Sequence, residues 1–378
     1  MAQPRPVFSP FDERMMVRAI QLAKRGAGRV EPNPMVGCVI ARGDHVVGEG
    51  YHRRFGGPHA EVEALRVCGG KAHGATAYVT LEPCCHYGQT PPCVDALREA
   101  GLARVVIPFA DPHRLVRGKG IDRLRRAGMR VDVGLKKNAA ADLIAPFATR
   151  ILRNRPYVIA KWAQSLDGKW ATRHGESRWI SGEESRRMVH RLRARMDAIV
   201  VGSGTVLIDD PLLTARGVTL RRRATRVVMD GRIRIPEQCQ LIDTVQEAPV
   251  WLISSPEASA SRKAHRLRRK GVEVIAVRTS RGRPSLSEAL RILAKRDCTN
   301  VLVEGGPALT GAFLSAGLVD EAMIFLAPMI VGDSAAPALT GHRSTVLVPD
   351  EEDQRVMEIR RYGADVLLHL KVNQPPWP

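Results

Sequence analysis

Four residues in the first half of the chain, His59, Glu61, Cys84 and Cys93, have the types and spacing of a hydrolytic metal centre. One imidazole and two thiolates suit Zn2+, and three protein ligands leave a fourth position for water. Bound zinc brings the pKa of that water toward neutrality and so supplies hydroxide at physiological pH. Glu61 stands two residues after His59 at the expected start of a helix, where it can reach the water without occupying the metal. A carboxylate there can take the water's proton and pass it to a leaving amine.

Each part alone is commonplace: a lone His is usually structural or solvated, and neighbouring cysteines usually pack. The ordered combination is not. His-x-Glu followed 25 residues later by Pro83-Cys84, and then by a further Cys, follows the zinc-deaminase pattern. The second interval departs from Cys-x-x-Cys, because eight residues separate Cys84 from Cys93. Cys85 and His86 therefore stand as rival ligands, although side chains adjacent to Cys84 share a tetrahedral site awkwardly. Asn33, in the rigid turn Pro32-Asn33-Pro34, offers amide hydrogen bonds to a heterocycle edge.

A second set of signals lies after residue 156. Val301-Leu-Val-Glu304-Gly305-Gly306-Pro307 reads as a buried strand running into glycines and a helix start, which can cradle a phosphate. Residues 201–205 repeat the theme, with a strand followed by small residues. Neither is a Gly-x-Gly-x-x-Gly fingerprint, and a plain strand–turn–helix corner would read the same way.

These residues need elements to hold them. Ser9-Pro10-Phe11-Asp12 has the form of a capped helix start, and Phe11, Met15, Ala19 and Leu22 recur at helical spacing. Strands are expected at 36–40, 46–47, 77–81, 105–109 and 131–133, with helices at 60–67, 94–100 and 121–127. Residues 138–155 run helically through Pro146 and read as a connection between domains. Beyond it, strands are expected at 157–163, 198–202, 226–230, 250–253, 272–277, 300–303, 322–326 and 366–372. Helices fall at 183–195, 258–270, 285–294 and 308–316, and the Pro375–Pro378 tail reads as frayed. Alternating strands and helices indicate α/β architecture, divided into domains at 1–150 and 151–378.

Composition sets the frame. The chain has 378 residues, 44% hydrophobic and 26% charged, enough for two or three globular domains. No run approaches the 18 or so apolar residues of a membrane span. The first residues lack the apolar core of a secretory signal, and seven cysteines suit no disulfide framework, so a reducing cytoplasm is expected. Net charge is 58 − 39 = +19, with +9 in residues 1–150 and +10 in the rest. That even spread is a solvated basic surface rather than a nucleic-acid-binding tail, and it would also welcome a phosphate ester.

With these residues in view, the chain resembles a known family. The run Tyr78-Val-Thr-Leu-Glu-Pro-Cys-Cys-His-Tyr-Gly-Gln-Thr-Pro-Pro-Cys93, together with His59-Ala-Glu-Val62 and Asp111-Pro-His113 to Gly118-Lys-Gly120, looks like the deaminase domain of the bifunctional riboflavin-biosynthesis deaminase/reductase. The blocks 161–169, 177–182, 197–205 and 209–214 resemble its reductase domain, so the likeness covers nearly the whole chain. The family usually has Ser where Cys85 stands, at a position that is not a ligand. The resemblance implies a cytidine-deaminase-like α/β/α sandwich followed by a dihydrofolate-reductase-like α/β domain. It implies zinc on His59, Cys84 and Cys93, Glu61 as catalytic residue, and NADPH in the second domain. The substrate would be 2,5-diamino-6-(5-phosphoribosylamino)pyrimidin-4-one, deaminated first and then reduced at the ribosyl chain, with Asn33, His52 and His86 touching it at the first site. Carried over by matching position, Ala163, Trp179, Thr205, Asp209, Gly306, Pro307, Ala308, Leu309, Thr310, Gly311 and Ala312 would line the NADPH site. Ser177, Arg193, Leu213, Arg216 and Glu304 would face the second substrate, with Arg193 and Arg216 able to grip its phosphate. Asp209 and Lys161 are the candidate proton donors for the reduction.

Two other readings fit less. A nucleic-acid deaminase leaves the Ser165–Lys169 and Glu304–Pro307 blocks unexplained, and 4% aromatic residues is thin for base stacking. A non-enzymatic zinc protein leaves Glu61 unexplained. The expected partner is a small phosphoribosyl pyrimidine, with no nucleic acid and no membrane, and the family resemblance implies a homo-oligomer.

Overall fold

The computed structural model describes residues 6–174, 180–339, 355–374 and 376–377. They divide into two compact units, one reaching Asn154 and including Pro376 and Trp377, the other Arg155–Gln374.

The first unit runs α1 (Pro10–Ala23), β1 (Gly37–Arg42), β2 (His45–Tyr51), α2 (Ala60–Cys68), β3 (Thr76–Val79), α3 (Cys93–Glu99), β4 (Arg104–Ile107), α4 (Lys119–Arg126), β5 (Arg130–Val133) and α5 (Lys137–Arg153). Its sheet order is β2-β1-β3-β4-β5, antiparallel at β2-β1-β3 and parallel from β3 to β5. Alternation along the strands makes three layers. Cys38, Ile40, Ala77, Val79, Val105 and Ile107 share one core with residues of α2, α3 and α4. Their neighbours Val39, Ala41, Tyr78 and Val106 share another with α1. The start of α1 is a capping box: Ser9 Oγ accepts from Asp12 N, and the Asp12 carboxylate accepts from Ser9 N. That carboxylate also accepts from Tyr78 Oη and Arg104 Nη1, both at 2.7 Å, which ties α1 to the sheet.

Two expectations need correction here. Residues 138–155 are more than a connection: α5 is a 17-residue helix, and its Ala140, Ala141, Ile144 and Ala148 pack with Leu81 and Phe109. Pro146 costs that helix one backbone donor, and the buried apolar stripe offsets the loss. The described part of the tail is not frayed either. Trp377 Nε1 donates to Ala110 O at 3.0 Å, and the Arg117 guanidinium lies 4.6 Å from its ring.

The second unit is built on a nine-stranded sheet. Its elements are β6 (Tyr157–Gln164), α6 (Glu183–Arg193), β7 (Ala198–Gly202), α7 (Ser203–Asp209), β8 (Thr225–Met229), α8 (Gln240–Asp243), β9 (Val250–Ser254), α9 (Pro256–Ser259), α10 (Arg262–Arg269) and β10 (Glu273–Ala276). There follow a small hairpin of β11 (Thr279–Ser280) and β12 (Arg283–Pro284), then α11 (Leu286–Lys295), β13 (Asn300–Val303), α12 (Pro307–Ser315), β14 (Glu321–Leu326), β15 (Arg355–Tyr362) and β16 (Asp365–Lys371). The sheet order is β10-β9-β8-β7-β13-β6-β14-β16-β15, parallel as far as β14. Strands such as Ala198–Val201 and Val301–Val303 are buried throughout, as a parallel sheet covered on both faces requires. The single helix expected at 258–270 is two helices, because Ser255 and Ser261 each cap a new start. β15 was not expected: its apolar Val356 and Ile359 are exposed, so it lacks a buried-strand pattern.

Candidate active sites

Glycine sets the approach of the helix that carries the first site. A Cβ on Gly50 of β2 would lie 2.4 Å from Ala64 N and 2.5 Å from Ala60 O, so α2 rests directly on the strand. His59 is the N-cap of α2, and Glu61 is in its first turn. Cys84 follows β3, and Cys93 begins α3. The possible ligand atoms of His59, Cys84 and Cys93 all lie within 4.8 Å of one another. His59 turns Nδ1 toward Cys93 Sγ at 3.2 Å and Cys84 Sγ at 3.5 Å, and turns Nε2 toward Thr90 Oγ1 at 3.4 Å. The rival ligands lie outside this cluster: Cys85 is half-buried, and His86 is exposed.

The electrostatics are those of a site built for a cation. The two thiols share one proton: the hydrogen bond from Cys93 draws Cys84 down to about 4, and the same bond holds Cys93 well above the ordinary thiol value. A hydrogen bond with Cys84 raises His59 against the opposing effect of its burial. Glu61 is buried, which pushes its carboxyl up to about 7 despite the neighbouring His59. A dication held among these groups would displace the shared proton.

The cluster opens on a cavity of about 330 Å³, lined by Asn33, His52, His59, Glu61, Cys84, His86, Gln89, Thr90, Asp111, His113, Phe147 and Arg150 among others. Asn33 Nδ2 lies 3.2 Å from His52 Nε2, and His52 Nδ1 lies 3.0 Å from Pro58 O. That pattern suits His52 donating from Nδ1 and accepting from the Asn33 amide at Nε2. The sequence alone assigns no role to Asp111, His113 or Thr90, although all three belong to quoted blocks. It missed Phe147 and Arg150 because α5 read as a connection.

The second unit holds a larger cavity, of about 1020 Å³. It lies where β7 and β13, neighbours in the parallel sheet, end in small residues that start α7 and α12. The carboxyl edge of a parallel sheet is the usual ligand position in open α/β folds. Ala163, Thr205, Asp209, Gly306, Pro307, Ala308, Leu309 and Ala312 line it, as does Glu304. Thr310 and Gly311 do not, since both are buried on the inner side of α12. Ser177 and Trp179 fall outside the described residues.

Arg193, Leu213 and Arg216 do not line this cavity. Arg193 is not an open fork for a phosphate: its Nε and Nη2 each donate to Glu304 at 2.7 Å. Burial would raise the Glu304 carboxyl, and Arg193 more than offsets it. Leu213 is buried with φ of 54°. Arg216 is exposed, with Nη1 3.2 Å from Thr214 Oγ1. Lys161 lines the cavity, and its burial lowers the ammonium pKa. The Ser165–Lys169 block, left without a role by sequence, is a clasp. Asp167 accepts from Val331 N and Gly332 N, and Lys169 Nζ reaches Ala336 O at 3.3 Å. This holds the segment whose Ser334, Ala335, Ala336, Pro337 and Ala338 line the cavity.

Residues 156–368 match the family model of the RibD C-terminal domain, and residues 9–108 match that of the cytidine and deoxycytidylate deaminase zinc-binding region. The riboflavin biosynthesis protein RibD of Escherichia coli is 42% identical over 371 residues, covering 95% of this chain and 99% of that protein. The chain belongs to the RibD family. RibD of Aquifex aeolicus is 40% identical, covering 96% of this chain and 98% of that one. A solved RibD structure from Acinetobacter baumannii superposes with a TM-score of 0.83 at 36% identity, covering 96% of this chain and 99% of that chain. A diaminohydroxyphosphoribosylaminopyrimidine deaminase/5-amino-6-(5-phosphoribosylamino)uracil reductase from Thermotoga maritima gives 0.82 at 35% identity, covering 96% and 98%. As a RibD-family member, the chain is a bifunctional deaminase and reductase of riboflavin biosynthesis, with a zinc-binding deaminase domain. Among the described residues, no helix is long and apolar enough to cross a membrane.

Proposed function

We propose that the first unit removes the 2-amino group of 2,5-diamino-6-(5-phosphoribosylamino)pyrimidin-4-one. The second then reduces the ribosyl chain with NADPH, giving 5-amino-6-(5-phosphoribitylamino)uracil. The observation that carries this reading is the cluster of His59, Cys84 and Cys93 beside buried Glu61 on the wall of one cavity.

That donor set fits zinc, with one imidazole, two sulfurs and room for a fourth position. When bound, zinc supplies an activated water. Glu61 moves the proton from that water to the departing amine. Asn33, held against His52, meets the pyrimidine edge, and His52 and His86 on the same cavity wall contact the substrate.

The second cavity fits a dinucleotide. Cβ atoms on Gly204 or Gly306 would meet nothing within 4 Å, so the backbone lies open to a ligand. Ala163, Trp179, Thr205, Asp209 and the start of α12 hold NADPH, which supplies the hydride. Glu304 faces the substrate, and Arg193 positions Glu304 through their paired hydrogen bonds. Lys161, on the wall of the same cavity, gives the proton, because burial lowers its ammonium pKa and so eases the proton's release. The seven free cysteines suit a reducing cytoplasm, and the enzyme acts as a homo-oligomer.

The test is turnover of the zinc-loaded protein with this substrate, followed by mass. The expected result is replacement of an amine by oxygen without NADPH, then a gain of two hydrogens with it. No mass change in either condition would overturn the reading.

A further inference from the structure

Glu82 lies between β3 and the Pro83-Cys84 pair and is 4% exposed. No cation pairs with it among the described residues; its carboxylate is held by backbone. Oε2 accepts from Asp111 N at 2.8 Å and Gly118 N at 2.9 Å. Oε1 accepts from Gly120 N at 2.8 Å and Ile121 N at 3.1 Å. The last two donors belong to the first turn of α4, whose dipole favours a negative charge there. One side chain therefore fixes both ends of the 111–121 segment. Asp111, His113 and Val116 of that segment line the first cavity, and Glu82 stands on the same wall. The contact is close on the other side as well. A Cβ on Gly120 would fall 2.2 Å from Pro83 O, so the segment lies directly against the residues leading to Cys84.

We propose that Glu82 is a positioning residue for the deaminase: it keeps the Asp111–Val116 wall of the cavity in register with Cys84 and thereby sets substrate affinity. The four backbone N–H groups it satisfies are largely buried, so losing the acceptor strands them and releases this segment from the residues leading to Cys84. Its four bonds converge on the one segment that brings polar groups to the cavity from the side of α4. The inference rests on the deaminase reading above.

Glu82→Gln tests it, because the isosteric amide turns an NH2 toward two backbone N–H groups that need an acceptor. The experiment uses the full-length zinc-loaded chain and measures metal content, deaminase KM and kcat, reductase kcat/KM, and hydrogen exchange at residues 111–121. The expected result is about one zinc per chain, KM raised about tenfold, kcat within about threefold, faster exchange in that segment and unchanged reduction. Gly120→Ala, which pushes the same wall off Pro83, should raise KM in the same direction. An unchanged KM in both variants would overturn the proposal. So would equal loss of zinc and kcat with no change in KM, which is the mark of a metal-site or folding defect. A wild-type control that fails to deaminate would instead reject the deaminase reading.

Discussion

Arg193 and Glu304 form a two-point ion pair, Nε to Oε1 and Nη2 to Oε2, each at 2.7 Å, beside the reductase cavity that Glu304 lines. Both side chains are largely buried, so neither is a spare surface charge. Removing one partner strands the other. Arg193→Ala should destabilise the second unit by about 3–5 kcal/mol and abolish reduction. Arg193→Met with Glu304→Leu should recover most of that stability but no activity. Denaturant unfolding with parallel NADPH-oxidation assays checks both; a single variant as stable as wild type would mean that the pair contributes nothing.

Metal dependence should divide the two activities. Cys93→Ala, or prolonged chelation, should lower zinc content and ammonia release together and leave NADPH-dependent reduction of the deaminated substrate unchanged. Retained zinc in Cys93→Ala would move the third ligand to Cys85 or His86, neither of which lies in the cluster.

Acid should loosen the first unit through Asp12. Burial raises its carboxyl, but Arg104, Ser9 and Tyr78 outweigh this and hold it at about 2, against 3.8 for a free Asp. The folded value is depressed, so the stabilisation is complete above about 4 and is lost as pH falls through about 2. It amounts to roughly 2 kcal/mol at most. Asp12→Asn should be less stable at neutral pH and lose less between pH 4 and 2. Parallel stability curves for the two proteins over that interval would contradict this.

The clasp at 165–169 predicts a cofactor effect. Asp167→Ala frees Val331 N and Gly332 N and loosens the segment that lines the second cavity. The KM for NADPH should rise about three- to tenfold, with deamination unchanged. An unchanged KM would make Asp167 a surface turn only.

Much of this was legible in the residues. Cap, alternation and glycine stops placed the elements of the first unit, because each is a local property of the chain. The grouping of His59, Cys84 and Cys93 was legible because metal chemistry restricts both residue type and order. What remained hidden was non-local. Nothing in the sequence says that Arg193 spends both ends of its guanidinium on Glu304, or that Glu82 reaches four backbone donors across nearly forty residues. α5 was undervalued because Pro146 signals a break locally, while Leu81 and Phe109, which bury the helix, lie far away in sequence.

The most direct test of two independent sites in one chain is Glu61→Gln, assayed for ammonia release and NADPH oxidation on a single preparation of known zinc content. The predicted result is full zinc, deamination reduced by at least about a hundredfold, and normal reduction of the deaminated substrate. Equal loss of both activities, or deamination that survives without the Glu61 carboxylate, would contradict it.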